Sequence, residues 1–426
     1  DAHASDISGA WLRTLLPQVT SIDNTYTPDK GTITLHANSE TVIERALQIA
    51  DADEGTVVIP TSSKAEAQRL EYLFKARYGA EQVYMICAEN SESAEAQNFI
   101  RDINTRLPDL KVFIYSPSLG TGIDITVPVR AVCAVFKGHH LPAGDLHQLL
   151  GRCRTTQETH AYVQPVKGKR LDDWQMLYAM HERNALRTGE LCDFSQEGIY
   201  AVTPIQQSML KLLALLEASR NRSINDLLSY FVSLAQGYHV CYHDGENHAL
   251  RETLRASQET LAQIERANVM YAEPIDHAQM DMHRQQGTLT PEVRAGHRRW
   301  LIEDSVGCTI NDQLYDDLHT PKAREQLRHF TDLEADEDEL RQRDQQQASE
   351  DFLLTRRGHY TMRQRLLKRL IRDVWGADGL QAGVDVALTK AELHARMQDF
   401  LQLHMVDLVT FFNWRSDQSH QEHDCE

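Results

Sequence analysis

Short, continuous apolar runs separated by stretches of helical length constrain this chain more than any other feature of its sequence. Thr56–Ile59, Val83–Cys87, Val112–Tyr115 and Arg130–Phe136 are apolar without alternation, as strands buried on both faces are. Between them, Ser62-Ser-Lys-Ala-Glu66 caps and opens a helix reaching Tyr78, and Ser93 to Arg106 supplies another. A last strand is expected at Ala161-Tyr-Val163. Strands alternating with helices of this length predict a parallel, doubly wound α/β sheet. Such a sheet binds ligands beyond the carboxyl ends of its strands.

Two runs inside this rhythm carry chemistry. Ser116-Pro-Ser-Leu-Gly-Thr-Gly-Ile-Asp124 follows the Val112–Tyr115 strand and turns through Gly120 and Gly122, where backbone can come close to a ligand. In Gln148-Leu-Leu-Gly-Arg-Cys-Arg154, Leu146, Leu149, Leu150 and Cys153 share one face of a predicted helix, and Gln148 and Arg152 share the other. A glycine-turned loop beside a helix offering Gln and Arg reads as one wall of a nucleotide site.

This pair of runs resembles motifs V and VI of superfamily 2 helicases, in the second RecA-like domain. The pattern is most similar to herpesvirus-type origin-binding helicases and to plasmid and phage replication proteins, including primase-helicases. The resemblance covers Asp1 to Arg170 well and continues more loosely from Leu289–Glu292 to Arg341–Asp344. It implies a RecA-like sheet over 51–170, with 1–50 as the end of a first RecA-like domain and a connector. In that reading Asp1–Asp6 aligns with motif III, against the plainer alternative of a strand end followed by a capped helix. Ile33–His36 and Glu40–Ala50 form the bridge between domains, and Ser62, Ser63 and Lys64 match motif IV.

The resemblance also implies roles. Gln148 orders a γ-phosphate and Arg152 contacts it. Arg154 is the candidate for the arginine that stabilises charge in the transition state. Only Cys153 separates the two arginines, where the family more often has two residues, so either the helix ends there or only one of them serves. Gly120 and Gly122 approach the nucleotide, and Asp124 accepts from ribose or orients an arginine. Ser118 and Thr121 touch a DNA phosphate, or bond their own turn. ATP and Mg²⁺ are implied as cofactors. Yet no Gly-x-x-x-x-Gly-Lys-[Ser/Thr] occurs in the chain, so the phosphate-cradling loop and the acidic pair for magnesium are expected on an upstream RecA-like domain of the same parent, and no ATP hydrolysis is expected from this chain alone.

Composition limits the partners. The formal net charge of −18 repels nucleic acid, so any contact with single-stranded DNA needs a local basic patch. Two clusters interleave cations with aromatics, as single-strand binding requires. The first is Arg294, His297, Arg298 and Arg299 with Trp300. The second is Arg356, Arg357, Arg363, Arg365, Lys368, Arg369 and Arg372 with Tyr360, where Arg363, Arg365, Lys368 and Arg369 are the expected DNA contacts. An amphipathic helix with a solvated face is the alternative. Seven scattered cysteines without a CxxC pair fit a reducing, cytoplasmic compartment. No run is long enough to span a membrane. His420, His423 and Cys425 suit a metal or, more simply, a polar tail.

Beyond residue 170 the pattern is mostly helical, with Tyr238–Tyr242 the best strand. Two parts are expected, 171–333 and 334–426, divided near the acidic, Gln-rich run Glu334–Gln347. The function expected is the motor half of an ATP-dependent DNA helicase from a replication protein. A RecA-like scaffold or origin-recognition module without a motor is the alternative from another class, and a translocase that does not separate strands is the third.

Overall fold

The computed structural model describes residues 9, 30–120, 122–138, 140–166, 168, 170–191, 204–350, 359–376 and 389–412. They fall into two compact units. One comprises Ile22–Lys167 and Ser223–His319, the other Asp1–Ser21, Gly168–Arg222 and Thr320–Glu426.

The first unit holds a seven-stranded sheet in the order β3-β4-β2-β5-β6-β1-β7. The strands are β1 (Thr32–His36), β2 (Val57–Pro60), β3 (Val83–Ile86), β4 (Val112–Tyr115), β5 (Val129–Phe136), β6 (Thr156–Val163) and β7 (His239–His243). Every pairing is parallel. The doubly wound α/β sheet expected from the apolar runs is therefore present.

Side-chain alternation divides the core into two layers. Val57, Ile59, Val112, Ile114, Ala131, Cys133 and Val135 face one side. There they meet α1 (Ser39–Asp51), α2 (Lys64–Tyr78) and α9 (His248–Tyr271). Val58, Phe113, Tyr115, Val132, Ala134 and Phe136 face the other, against α3 (Ala94–Arg101), α5 (Ala143–Leu150) and α8 (Leu227–Leu234). Local signals set the helix bounds. Ser63 caps α2 by accepting from the Glu66 N–H, and the helix stops at Gly79, whose φ of +87° suits glycine.

Two expectations change here. Ile33–His36 and the helix after it do not form a connector outside the sheet: β1 pairs with both β6 and β7, and α1 packs on the core. The sheet accordingly takes in residues on both sides of 51–170. Alternation showed that β1 was a strand, but strand order depends on crossovers that periodicity does not encode. The Tyr238–Tyr242 candidate is realised one residue later, as β7.

The rest of the first unit is helical: α4 (Ile103–Arg106) before β4, then α10 (His277–Gln285), α11 (Pro291–Val306) and α12 (Asp312–Leu318) after α9. The second unit contains α6 (Trp174–Leu191), α7 (Pro204–Asn225, up to Arg222), α13 (Pro321–Glu334), α14 (Glu337–Glu350), α15 (Tyr360–Leu370) and α16 (Lys390–Phe412). Leu177 and Met180 of α6 pack with Ala214 and Ala218 of α7, while Leu366, Val374, Phe400 and Leu408 form a separate cluster. Among the described residues, no helix is long and apolar enough to cross a membrane. Asp1–Asp6, Thr121, Arg356, Arg357, His420, His423 and Cys425 lie outside the described residues.

Candidate functional site at the amino edge of the sheet

In a parallel sheet each helix carries the chain back from the carboxyl edge to the amino edge. This rule separates residues that the sequence grouped together. Ser62, Ser63 and Lys64 leave the carboxyl end of β2, and Ser118 and Gly120 leave that of β4. Asp124, however, lies on the return path into β5, and Arg152 and Arg154 lie on the path into β6. The expectation of a single carboxyl-edge site for all of them is not met. Gly122 stands between the two groups, and both glycines have φ near +80°, at +82° and +85°.

The amino-edge group is the better built. α5 ends at Leu150 with Gly151 as its cap, so Gln148 lies on the helix and Arg152 in the turn beyond it. The two therefore do not share a helical face as the four-residue spacing predicts. Ile125 forms a parallel bridge with Cys153, in which the Ile125 N–H donates to the Arg152 carbonyl at 2.9 Å and the Arg154 N–H to the Ile125 carbonyl at 3.0 Å. Arg154 Nε then donates to Asp124 Oδ1 at 2.7 Å. Of the two roles open to Asp124, orientation of an arginine is the one this geometry contains.

Arg152 is placed differently. Its guanidinium lies 5.9 Å from the centroid of the buried Tyr115 ring, and burial pushes its pKa below the usual arginine value, offset in part by the Tyr115 hydroxyl. Tyr115 itself donates to the Leu149 carbonyl at 2.5 Å, tying the end of β4 to the last turn of α5. The Arg152 Nε is buried and finds no hydrogen-bond partner among the described residues. A buried donor without a partner costs about 1–3 kcal/mol, and an anion arriving at this turn would relieve that cost.

Asn104 holds the loop from below. Its Nδ2 donates to the Asp124 carbonyl at 3.1 Å, and its Oδ1 accepts from the Thr126 and Val127 N–H groups at 2.8 and 3.3 Å. The sequence does not single out Asn104, because a lone Asn inside the four-residue α4 gives no signal. Nor does it single out the part played by Tyr115, although a tyrosine closing an otherwise aliphatic strand calls for a partner for its hydroxyl.

The carboxyl-edge group is occupied internally. Ser62 is buried and its hydroxyl donates to the Lys137 carbonyl. Ser63 is spent on capping α2, and Lys64 Nζ pairs with Glu89 at 2.7 Å. Two arginines of the first basic cluster reach the same residue: Arg298 donates to Glu89 Oε1 at 2.9 Å, and Arg294 to the Glu89 backbone carbonyl at 2.8 Å. Lys64 and these arginines hold Glu89 below the usual carboxylate range despite its burial. Arg299 donates to Glu303 and to the carbonyls of Met270 and Ala272. These cations tie helices to one another and to the loop after β3.

In the helical unit, Arg363 is only 2% exposed and so does not reach a DNA strand in this structure. Its position three residues before Leu366 put it on the apolar stripe, the signal that was available. Arg365 pairs with Glu337, whereas Lys368 and Arg369 are exposed. No family model and no curated protein matches the chain.

Proposed function

We propose that this chain supplies the arginine side of a nucleotide-hydrolysing site, in the manner of the second motor lobe of a superfamily 2 DNA helicase. The observation that carries the reading is the Asp124–Arg154 ion pair, which joins the glycine-turned loop to the arginine turn at 2.7 Å. A guanidinium aimed by a carboxylate at an exposed edge is suited to developing phosphoryl charge. Arg152, half buried with an unsatisfied Nε, is suited to a standing contact with a phosphate. The donor set fits the phosphate end of ATP, and Mg²⁺ and the phosphate-cradling loop belong to the partner lobe.

ATP hydrolysis by the parent protein, measured with and without single-stranded DNA, tests this. Arg154→Ala should lower turnover on the order of a thousandfold with little change in KM. Arg152→Ala should impair both. Rates within a few-fold of the parent for both variants would remove the motor reading. The commitment of Lys64, Arg294 and Arg298 to Glu89 favours one second reading, an α/β binding module without a motor. That module would bind partners unchanged in both variants.

A further inference from the structure

Three histidines meet at the far end of the sheet. His36 closes β1, His160 lies in β6 and His243 closes β7, with ring centroids 5.2 and 4.8 Å from that of His36. Two of them, His160 and His36, are hydrogen-bonded in series. His160 Nε2 lies 3.1 Å from Glu158 Oε2, and His160 Nδ1 lies 3.0 Å from His36 Nε2. His36 Nδ1 lies 2.9 Å from Thr41 Oγ1, which lies 2.9 Å from the Asn38 carbonyl.

Counting hydrogens shows what this series can do. Both its ends, a carboxylate and a carbonyl, only accept. Four contacts each need one hydrogen, but two neutral imidazoles and one hydroxyl supply three. The contact left empty is at the Asn38 end. An imidazole lone pair facing Glu158 would be repelled, whereas a helix-capping carbonyl already accepts from the first turn.

We infer that Glu158, His160, His36 and Thr41 form a one-proton switch at the start of α1. In the neutral state Thr41 donates to His36 Nδ1, His36 Nε2–H to His160 Nδ1, and His160 Nε2–H to Glu158. A proton from solvent bonds to His36 Nδ1 and makes that ring an imidazolium. The Thr41 hydroxyl becomes its acceptor and turns its own hydrogen to the Asn38 carbonyl. All four contacts are then filled. Asn38 also donates from Nδ2 to the Gly245 carbonyl at 2.9 Å, so the switch sits where α1 and the chain beyond β7 are fastened.

The charges around it define its direction. Arg45 of α1 and Arg130 of β5 hold Glu158 ionised, down to about 2. Burial, then His160 and His243, pushes His36 down to about 4, and burial outweighs Glu158 in lowering His160. The switch is therefore in its neutral state at neutral pH and turns over in acid.

The test is a titration of the whole chain carrying ¹⁵N-labelled histidine, from pH 7.5 to 2, with long-range ¹H–¹⁵N spectra reading each ring nitrogen. His36 should carry its hydrogen on Nε2 at pH 7.5 and gain one on Nδ1 in a single step, while His160 keeps its Nε2–H. Thr41→Val should move that step about one pH unit lower, because the imidazolium loses its acceptor. Thr41→Ser should restore it. A wild-type His36 already protonated on Nδ1 at pH 7.5 overturns the switch, as does a step unmoved by Thr41→Val.

Discussion

Asp124 and Arg154 are 47% and 66% exposed at the side chain, and exposed pairs contribute no more than about 1 kcal/mol to stability. The importance of this pair is directional, so Asp124→Asn should leave the urea midpoint nearly unchanged. Gly296 is the opposite case. A Cβ there would sit 2.2 Å from the Glu273 carbonyl oxygen and 3.0 Å from Ile275 Cγ1. Relieving that clash means parting α11 from the chain that leads into α10, so Gly296→Ala should cost about 1–3 kcal/mol. An unshifted midpoint in urea would refute the close approach. The same scale shows what the sequence revealed about the site. Glycines followed by Asp124, and arginines spaced around Cys153, disclosed the two halves of a contact because ionic partners leave residue-type signatures. The burial of Arg363 and the commitment of Lys64 to Glu89 depend on packing between elements, which residue type alone does not convey.

Helix α15 shows how an element is stabilised from outside itself. Its start has no side-chain cap of its own. Instead Asp344 of α14, fully buried, accepts from the N–H groups of His359, Tyr360 and Thr361 at 2.9, 2.7 and 3.1 Å and from the Thr361 hydroxyl at 2.7 Å. Asp344→Asn places an amide N–H₂ among donors and weakens a charged acceptor to a neutral one, a loss of about 2 kcal/mol or more. A thermal melt should show it, and a melting point unchanged from wild type would mean the cap is dispensable. The acidic, Gln-rich run around Asp344 therefore forms a helix with one interior carboxylate as well as a solvated face. Most helices of this half agree with the mostly helical pattern of the sequence, and the structure caps two of them at Thr290-Pro291 and Thr320-Pro321. The exceptions, α10 and α12, span nine and seven residues and are too short and polar for periodicity to register.

At the scale of the whole molecule, a formal charge of −18 opposes DNA everywhere except where cations stand clear of carboxylates. Of the four residues of the helical unit expected to bind DNA, Arg363 is buried and Arg365 is paired with Glu337, leaving Lys368 and Arg369 exposed. Phosphate contacts release counterions, and for single strands each contributes about 0.7 to the slope of log affinity against log salt. Fluorescence titration of single-stranded DNA across a salt series reads that slope directly. Replacing Lys368 and Arg369 together by Ala should weaken binding and flatten the slope by about 1.4 if both touch phosphate. Arg365→Ala should change it less, because its guanidinium is already neutralised by Glu337. A double variant with the wild-type slope would move any DNA contact to the sheet-bearing unit. There Arg154 would be the next cation to replace, since its side chain is 66% exposed even though it pairs with Asp124, whereas Lys64, Arg294 and Arg298 hold Glu89.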